Sequence, residues 1–162
     1  MIKALAAIGM AALFAATASA EPSTIYVMRH LERDVGADPS LNAVGAAHAE
    51  QLTSWFQHDK PKAIFVTPYK RARETVSPLA AKLGITPTDY DPRQQDALIQ
   101  AVRAVKGPVL VVGHSNTVPA IVHSLGGPTG VDLDDSDYGR IWVVRDGGKS
   151  VRVVALADRQ PR

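Results

Sequence analysis

Arg29 and His30 stand side by side at the end of an apolar run, Thr24-Ile25-Tyr26-Val27-Met28. Arg71 follows a second run, Ala63-Ile64-Phe65-Val66, within Thr67-Pro68-Tyr69-Lys70-Arg71. His114 follows a third, Val109-Leu110-Val111-Val112, within Gly113-His114-Ser115-Asn116-Thr117. A neutral imidazole carries a lone pair that can attack phosphorus. A guanidinium presents planar, paired donors that match phosphoryl oxygens, and a phosphoryl group in transfer spreads its charge over those oxygens. Two His and two Arg at matching positions are therefore the makings of a phosphate-handling site. The side chains themselves supply the positive charge, so this chemistry calls for no metal and no cofactor. Arg33, Ser115 and Asn116 lie close enough in sequence to reach a substrate.

The elements must bring these residues together. Each apolar run reads as a strand, and ligands of open α/β sheets sit beyond the carboxyl ends of strands. Val109–Val112 lacks alternation, as a buried parallel strand does. Asn42 suits the N-cap of a helix running to about Gln57, with Val44, Ala47, Leu52, Trp55 and Phe56 as its apolar positions. A second helix is expected from about Tyr69 to Leu83, with Gly84 as its C-terminal cap and Pro78 kinking or dividing it. There Arg71 shares the helix N-terminus, where backbone N–H groups favour an anion. A third helix fits Gln94–Lys106 and a fourth Val118–Leu125. Ile141–Val144 and Val151–Leu156 flank Asp146-Gly147-Gly148, a hairpin signal. The alternation predicts an α/β three-layer sandwich. Its central sheet is mainly parallel, with helices on both faces and an antiparallel C-terminal edge hairpin.

The chain has 162 residues, no Cys and a formal net charge of +2. Without Cys there are no disulfides, thiol nucleophiles or zinc-thiolate sites. A near-neutral surface gives no electrostatic case for nucleic acid. Met1-Ile2-Lys3, the Ala-rich run Ala4–Ala16 and Ala18-Ser19-Ala20 before Glu21-Pro22 read as a cleaved secretory signal peptide. The run is too short and too Ala-rich for a membrane anchor, so no stable membrane insertion is expected after cleavage. The expected organisation is a signal peptide over residues 1–20 and one catalytic domain over residues 21–162, periplasmic or secreted.

Arg29-His30, the Thr67-Pro68-x-x-Arg71-Ala72-x-x-Thr75 pattern and the later Gly113-His114, in this order and at strand ends, resemble the histidine phosphatase superfamily, the phosphoglycerate-mutase-like proteins. The resemblance spans essentially the whole of residues 21–162 and implies a small exported bacterial member. It implies that His30 is the nucleophile, and that Arg29, Arg71 and His114 hold the phosphoryl group of a small phosphorylated substrate. The implied activity is metal-independent hydrolysis of phosphate monoesters through a phosphohistidine. Arg29 and Arg71 are expected to depress the pKa of His30. Two positions depart from the family. Leu31 stands where a small residue is usual; its carbonyl can still orient His30, but its side chain threatens to narrow the entrance. Ser115 stands where one branch carries an acid. The proton donor is therefore expected at Asp91, with Glu32 and Asp137 as rivals. Arg73 reads as a surface residue pairing with Glu74 or Asp89.

Two other readings compete. Val112-Gly113-His114-Ser115-Asn116-Thr117 resembles the nucleophile elbow of serine α/β-hydrolases, with Ser115 as nucleophile. Thr117 is too large for that turn, and His123 follows too soon to be the base. Alternatively, Leu31 or a missing donor leaves a pocket that binds phospho-ligands without turnover.

Overall fold

A computed structural model describes residues 21–130 and 132–158. The expected signal segment, residues 1–20, lies outside the described residues. Six strands, β1 (Thr24–Arg29), β2 (Ala63–Val66), β3 (Thr88–Asp89), β4 (Val109–Gly113), β5 (Arg140–Arg145) and β6 (Ser150–Ala155), form one sheet in the order β3-β2-β4-β1-β5-β6. The β3-β2-β4-β1 part is parallel. β5 runs antiparallel to β1, and β6 antiparallel to β5.

Period-2 alternation splits the strand side chains between two cores. Tyr26, Met28, Val66, Leu110, Val112 and Ile141 pack with helices α1 (Ala43–Trp55) and α2 (Lys70–Leu83). Ile25, Val27, Phe65, Val111 and Trp142 pack with α3 (Gln95–Arg103) and α4 (Val118–Ser124) on the other face. The three layers follow. The helix after β1 and the helix after β4 lie on opposite faces, so a crevice opens between the carboxyl ends of these adjacent strands.

Two local expectations change and two hold. The inward face of α1 is Gly45, Ala49, Leu52 and Trp55, whereas Val44 is exposed. Gly45 turns inward because a Cβ there would sit 2.1 Å from the Glu32 carbonyl oxygen. The Asn42 cap holds, its side chain accepting from Gly45 N at 2.9 Å. Pro78 does not divide α2, which runs unbroken from Lys70 to Leu83, with Gly84 as its left-handed C-cap. Buried residues on both sides of it, Thr75, Val76, Leu79 and Ala80, anchor the helix against the core. The hairpin turn at Asp146-Gly147-Gly148 takes positive φ at all three residues, which its two glycines accommodate.

Candidate active site

β1 delivers Arg29 and His30 to the crevice. Arg29 pairs with Gly113, and His30 N extends the ladder by donating to the Gly113 carbonyl at 3.0 Å. At the end of β4 a Cβ on residue 113 would meet Thr117 Oγ1 at 2.7 Å. The missing side chain allows His114 N to donate to that same oxygen at 2.9 Å, which fixes the turn into α4. Arg71 lies in the first turn of α2. One cleft of about 240 Å³ is lined by Arg29, His30, Arg71 and His114, with Arg33, Ser115 and Asn116 at its walls. Seven of the residues singled out from the sequence thus meet in one place. Tyr69, Pro92, Thr117 and Asp135 complete the lining.

His30 is 2% exposed. Its Nδ1 lies 2.8 Å from the Leu31 carbonyl. A carbonyl only accepts, so Nδ1 carries the proton and Nε2 keeps its lone pair. Leu31 N donates to Thr75 Oγ1 at 3.0 Å, and Thr75 Oγ1 donates to the Arg71 carbonyl at 2.7 Å. The peptide that orients the imidazole is therefore tied to the helix that carries Arg71. Leu31 does not narrow the entrance. Its side chain is fully buried in the core beneath α1 and α2, and its φ is not positive.

His114 stands 5.2 Å from His30, ring to ring. Its Nε2 is 2.8 Å from Thr67 Oγ1, and Arg71 approaches its Nδ1 at 3.4 Å. Since a guanidinium only donates, Nδ1 is the acceptor and the proton sits on Nε2, toward Thr67. Both imidazoles are held neutral. Burial, above all, lowers the His30 pKa to about 3, with His114, Arg29 and Arg71 adding to it. The cations named from the sequence contribute, but desolvation dominates. Burial followed by Arg71, Arg29 and Arg33 lowers His114 to about 4.

The two arginines are held from behind. Arg29 donates to the Asp134 carbonyl at 2.7 Å, lies 3.5 Å from Asp135 Oδ1, and places its guanidinium 4.3 Å from the Tyr138 ring centroid. Arg71 faces Asp38 at 3.6 Å and stacks over Tyr69 at 4.7 Å. In both, Nε is buried without a hydrogen-bond partner. Two orphaned donors beside a neutral nucleophile make a seat for an anion, because a buried N–H left unpaired is costly.

The expected proton donors are elsewhere. Asp91 does not line the cleft; its carboxylate takes three bonds from Arg93, from the backbone N at 2.9 Å, Nε at 3.0 Å and a terminal nitrogen at 2.8 Å. These bonds lower its pKa to about 2, the opposite of what a general acid needs. Glu32 accepts from His48 Nδ1 at 3.0 Å, and Asp137 pairs with Arg140 at 2.8 Å. Among the described residues, the one carboxyl lining the cleft is Asp135, which no spacing or motif in the sequence singles out. Arg73 pairs with Asp89, as its surface reading anticipated. No histidine hydrogen-bonds Ser115 among the described residues, so the serine-hydrolase reading has no base. No group of three or more His, Asp or Glu that could hold a metal occurs among the described residues.

The family model for the histidine phosphatase superfamily (branch 1) matches residues 25–95, a span that holds Arg29, His30 and Arg71 but not His114. Among solved structures, the protein histidine phosphatase SixA complexed with tungstate aligns at 20% identity over 83% of this chain and 97% of its own, with a TM-score of 0.65. The phosphohistidine phosphatase SixA of Agrobacterium tumefaciens aligns at 21% identity over 83% and 98%, TM-score 0.64. A mycobacterial glucosyl-3-phosphoglycerate phosphatase aligns at 13% identity over 82% and 96%, TM-score 0.60. At these identities the likeness speaks for the fold. No curated protein matches the sequence.

Proposed function

Because the chain belongs to the histidine phosphatase superfamily, we propose that it hydrolyses phosphate monoesters through a phosphohistidine on Nε2 of His30. The observation that carries this is the tautomer. With Nδ1–H committed to the Leu31 carbonyl, Nε2 is the free nucleophilic nitrogen, in a cleft shared with Arg29, Arg71 and His114. Nε2 attacks phosphorus, the P–N bond forms, and the P–O bond to the leaving group breaks. Water then attacks the same phosphorus, the P–N bond breaks, and phosphate leaves with His30 restored. Arg29 and Arg71 Nε groups take the equatorial charge in both steps. His114 joins them once the bound dianion raises its pKa and Nδ1 gains a proton.

The charge comes from side chains, so no metal enters the scheme. Asp135 is the only carboxyl lining the cleft among the described residues, and it stands largely in solvent. Leaving groups that depart without a donated proton, such as phenolates, therefore suit the site better than simple alkoxides. A pocket that binds without turnover loses one of its two motives, since Leu31 supplies the orienting carbonyl and stays out of the cleft; the other, a missing donor, is separated from turnover by the assay with a leaving group that needs no proton.

The test is turnover of phenyl phosphate with a chelator present. His30→Ala should fall to background, and Arg71→Ala should lose on the order of 10²–10³-fold. Denatured phosphoenzyme should be stable in alkali and labile in acid. Activity that survives His30→Ala, or needs added metal, would refute the scheme.

A further inference from the structure

The net charge is small, but the fold sorts the charges by end. The cleft opens at the carboxyl ends of the parallel strands, and exposed Asp34, Asp38, Asp134 and Asp135 stand around it. The opposite end, where β1, β2 and β4 begin and β5 turns into β6, carries lysines. Lys60 and Lys62 precede β2, Lys106 precedes β4 and Lys149 precedes β6. All four are exposed, and none is in an ion pair among the described residues. Their loops are held together. Lys62 N donates to the Pro108 carbonyl at 2.7 Å, and a Cβ on Gly107 would meet Lys62 Cγ at 2.9 Å. The stem of Lys62 thus lies over the turn that follows Lys106. Asp59, the acid of the first loop, is half-buried and accepts from the buried Tyr26 hydroxyl. Of the other carboxylates at this end, Glu21 shares a hollow with Arg103 and Arg145, and Asp146 stands in the turn that leads to Lys149. Helix dipoles do not account for the lysines. A helix C-terminus stabilises cations in its last turn, which covers Lys82 of α2 and Arg103 of α3. α1 has no basic residue in its last turn, and Lys60, Lys62, Lys106 and Lys149 lie beyond the four α-helices.

Like charges gathered without carboxylates repel one another and favour an anionic partner. Strands lie about 4.8 Å apart, so the distance from β2 to β6 spreads these lysines over about 20 Å. That breadth exceeds a single phosphate and suits an extended surface. The start of β1 lies at the same end, with only Glu21, Pro22 and Ser23 before it after the proposed cleavage site. A chain still held at a membrane by its signal segment therefore presents this end to the bilayer. We infer that the lysine end is a docking surface for an anionic lipid bilayer, on which the protein from Glu21 onward adsorbs without inserting, its cleft at the far end. The exposed large apolar residues, Val35, Val44, Tyr69 and Val153, lie outside the four lysine loops. The attraction is therefore electrostatic and weakens with salt. This surface is separate from the phosphoryl seat and does not depend on its chemistry.

The experiment is co-sedimentation of the chain from Glu21 onward, which holds all six strands and four α-helices, with vesicles. One set is phosphatidylcholine alone; the other contains about one-third phosphatidylglycerol. The protein should bind the anionic vesicles in about 0.02 M salt, leave them in about 0.5 M salt, and ignore the neutral ones. A lysine near an anionic surface corresponds to about fivefold in partitioning. The combined variant Lys60→Gln, Lys62→Gln, Lys106→Gln should therefore bind about a hundredfold more weakly, with its melting temperature unchanged. A control that removes the same charge at the cleft end, Lys70→Gln, Arg93→Gln, Arg140→Gln, should bind as the unchanged protein does. Equal weakening in the two combined variants would assign binding to net charge and overturn the surface. Equal binding to neutral and anionic vesicles, or binding that survives high salt, would mean insertion and overturn it too. Binding to duplex DNA that needs the three lysines, with none to anionic vesicles, would give the surface to a different polyanion and end the lipid assignment.

Discussion

Leu31 shows how much hangs on one backbone carbonyl. A residue that departs from the family pattern contributes its peptide to the site and its side chain to the core, so the departure is absorbed where it does no harm. His30 and His114 hold the matching electrostatic position. Both are neutral when folded, with pKa values lowered from 6.5 to about 3 and about 4, chiefly by burial. The unfolded chain takes up these protons below about pH 6.5, while the folded chain refuses them until near pH 3–4. Stability therefore falls as the pH drops from about 6.5 toward 4, and at pH 5 each histidine accounts for a loss of about 1–2 kcal/mol. In NMR titrations of the free protein, the His30 and His114 ring signals should stay flat from about pH 8 to about pH 5, and the melting temperature should drop over the lower part of that range. Inorganic phosphate should shift both titrations upward, since an anion favours the charged imidazole. Either ring titrating near its ordinary value without ligand would contradict this assignment. The four residues Arg29, His30, Arg71 and His114 were legible because each follows closely on a strand with a strong apolar pattern. Asp91 misled because its place in the chain spoke for a donor, while Arg93, two residues on, claims the carboxylate.

At the scale of elements, the segment between α4 and β5 is polar and acidic in the sequence, and the one role it suggests there is Asp137 as a rival proton donor. It has no period, and contacts made across the sheet by an irregular segment leave no trace in spacing. In the fold it returns to β1 and grips Arg29 from behind. The Asp134 carbonyl, the Asp135 carboxylate, and the ring and hydroxyl of Tyr138 all approach one guanidinium. These contacts fix the guanidinium of Arg29, while its Nε is buried without a hydrogen-bond partner. Tyr138 also stands 6.0 Å from the His30 ring. The phenol ring contributes more than its hydroxyl, because the hydroxyl contact is long, at 3.4 Å, whereas the face lies well within cation–π range. Tyr138→Phe should keep kcat/KM within about threefold. Tyr138→Leu, which loses the π face, should lose about tenfold and weaken inhibition by inorganic phosphate to a similar degree. Its melting temperature should change little, since Tyr138 is only half-buried. Equal effects of the two substitutions would place the weight on the hydroxyl instead. α2 likewise defeats a local rule: Pro78 counts against a continuous helix, but the buried stripe on either side of it decides the outcome.

For the molecule as a whole, β1 is both the floor of the site and the centre of the sheet. It is buried at every position, pairs with β4 on one side and β5 on the other, and begins at Thr24. Only Glu21, Pro22 and Ser23 separate it from the proposed signal peptide, so processing has little room. Cleavage after Ala20 leaves the sheet intact. A cut a few residues later would remove Tyr26, which is fully buried and packs its ring edgewise against Trp55 and Phe56 at centroid distances of 5.6 and 4.9 Å. Loss of such an aromatic from a core is worth about 3–5 kcal/mol, a large share of the roughly 5–15 kcal/mol that holds a domain folded. The exported protein should therefore have the intact mass of a chain beginning at Glu21. A chain made to begin at Glu21 should fold and turn over phenyl phosphate, while one beginning at Val27 should not fold. Recovery of the protein with residues 1–20 retained in a membrane fraction would mean that the segment anchors rather than addresses the chain. The fold from Glu21 onward would be unaffected by that result, because among the described residues no helix is long and apolar enough to cross a membrane.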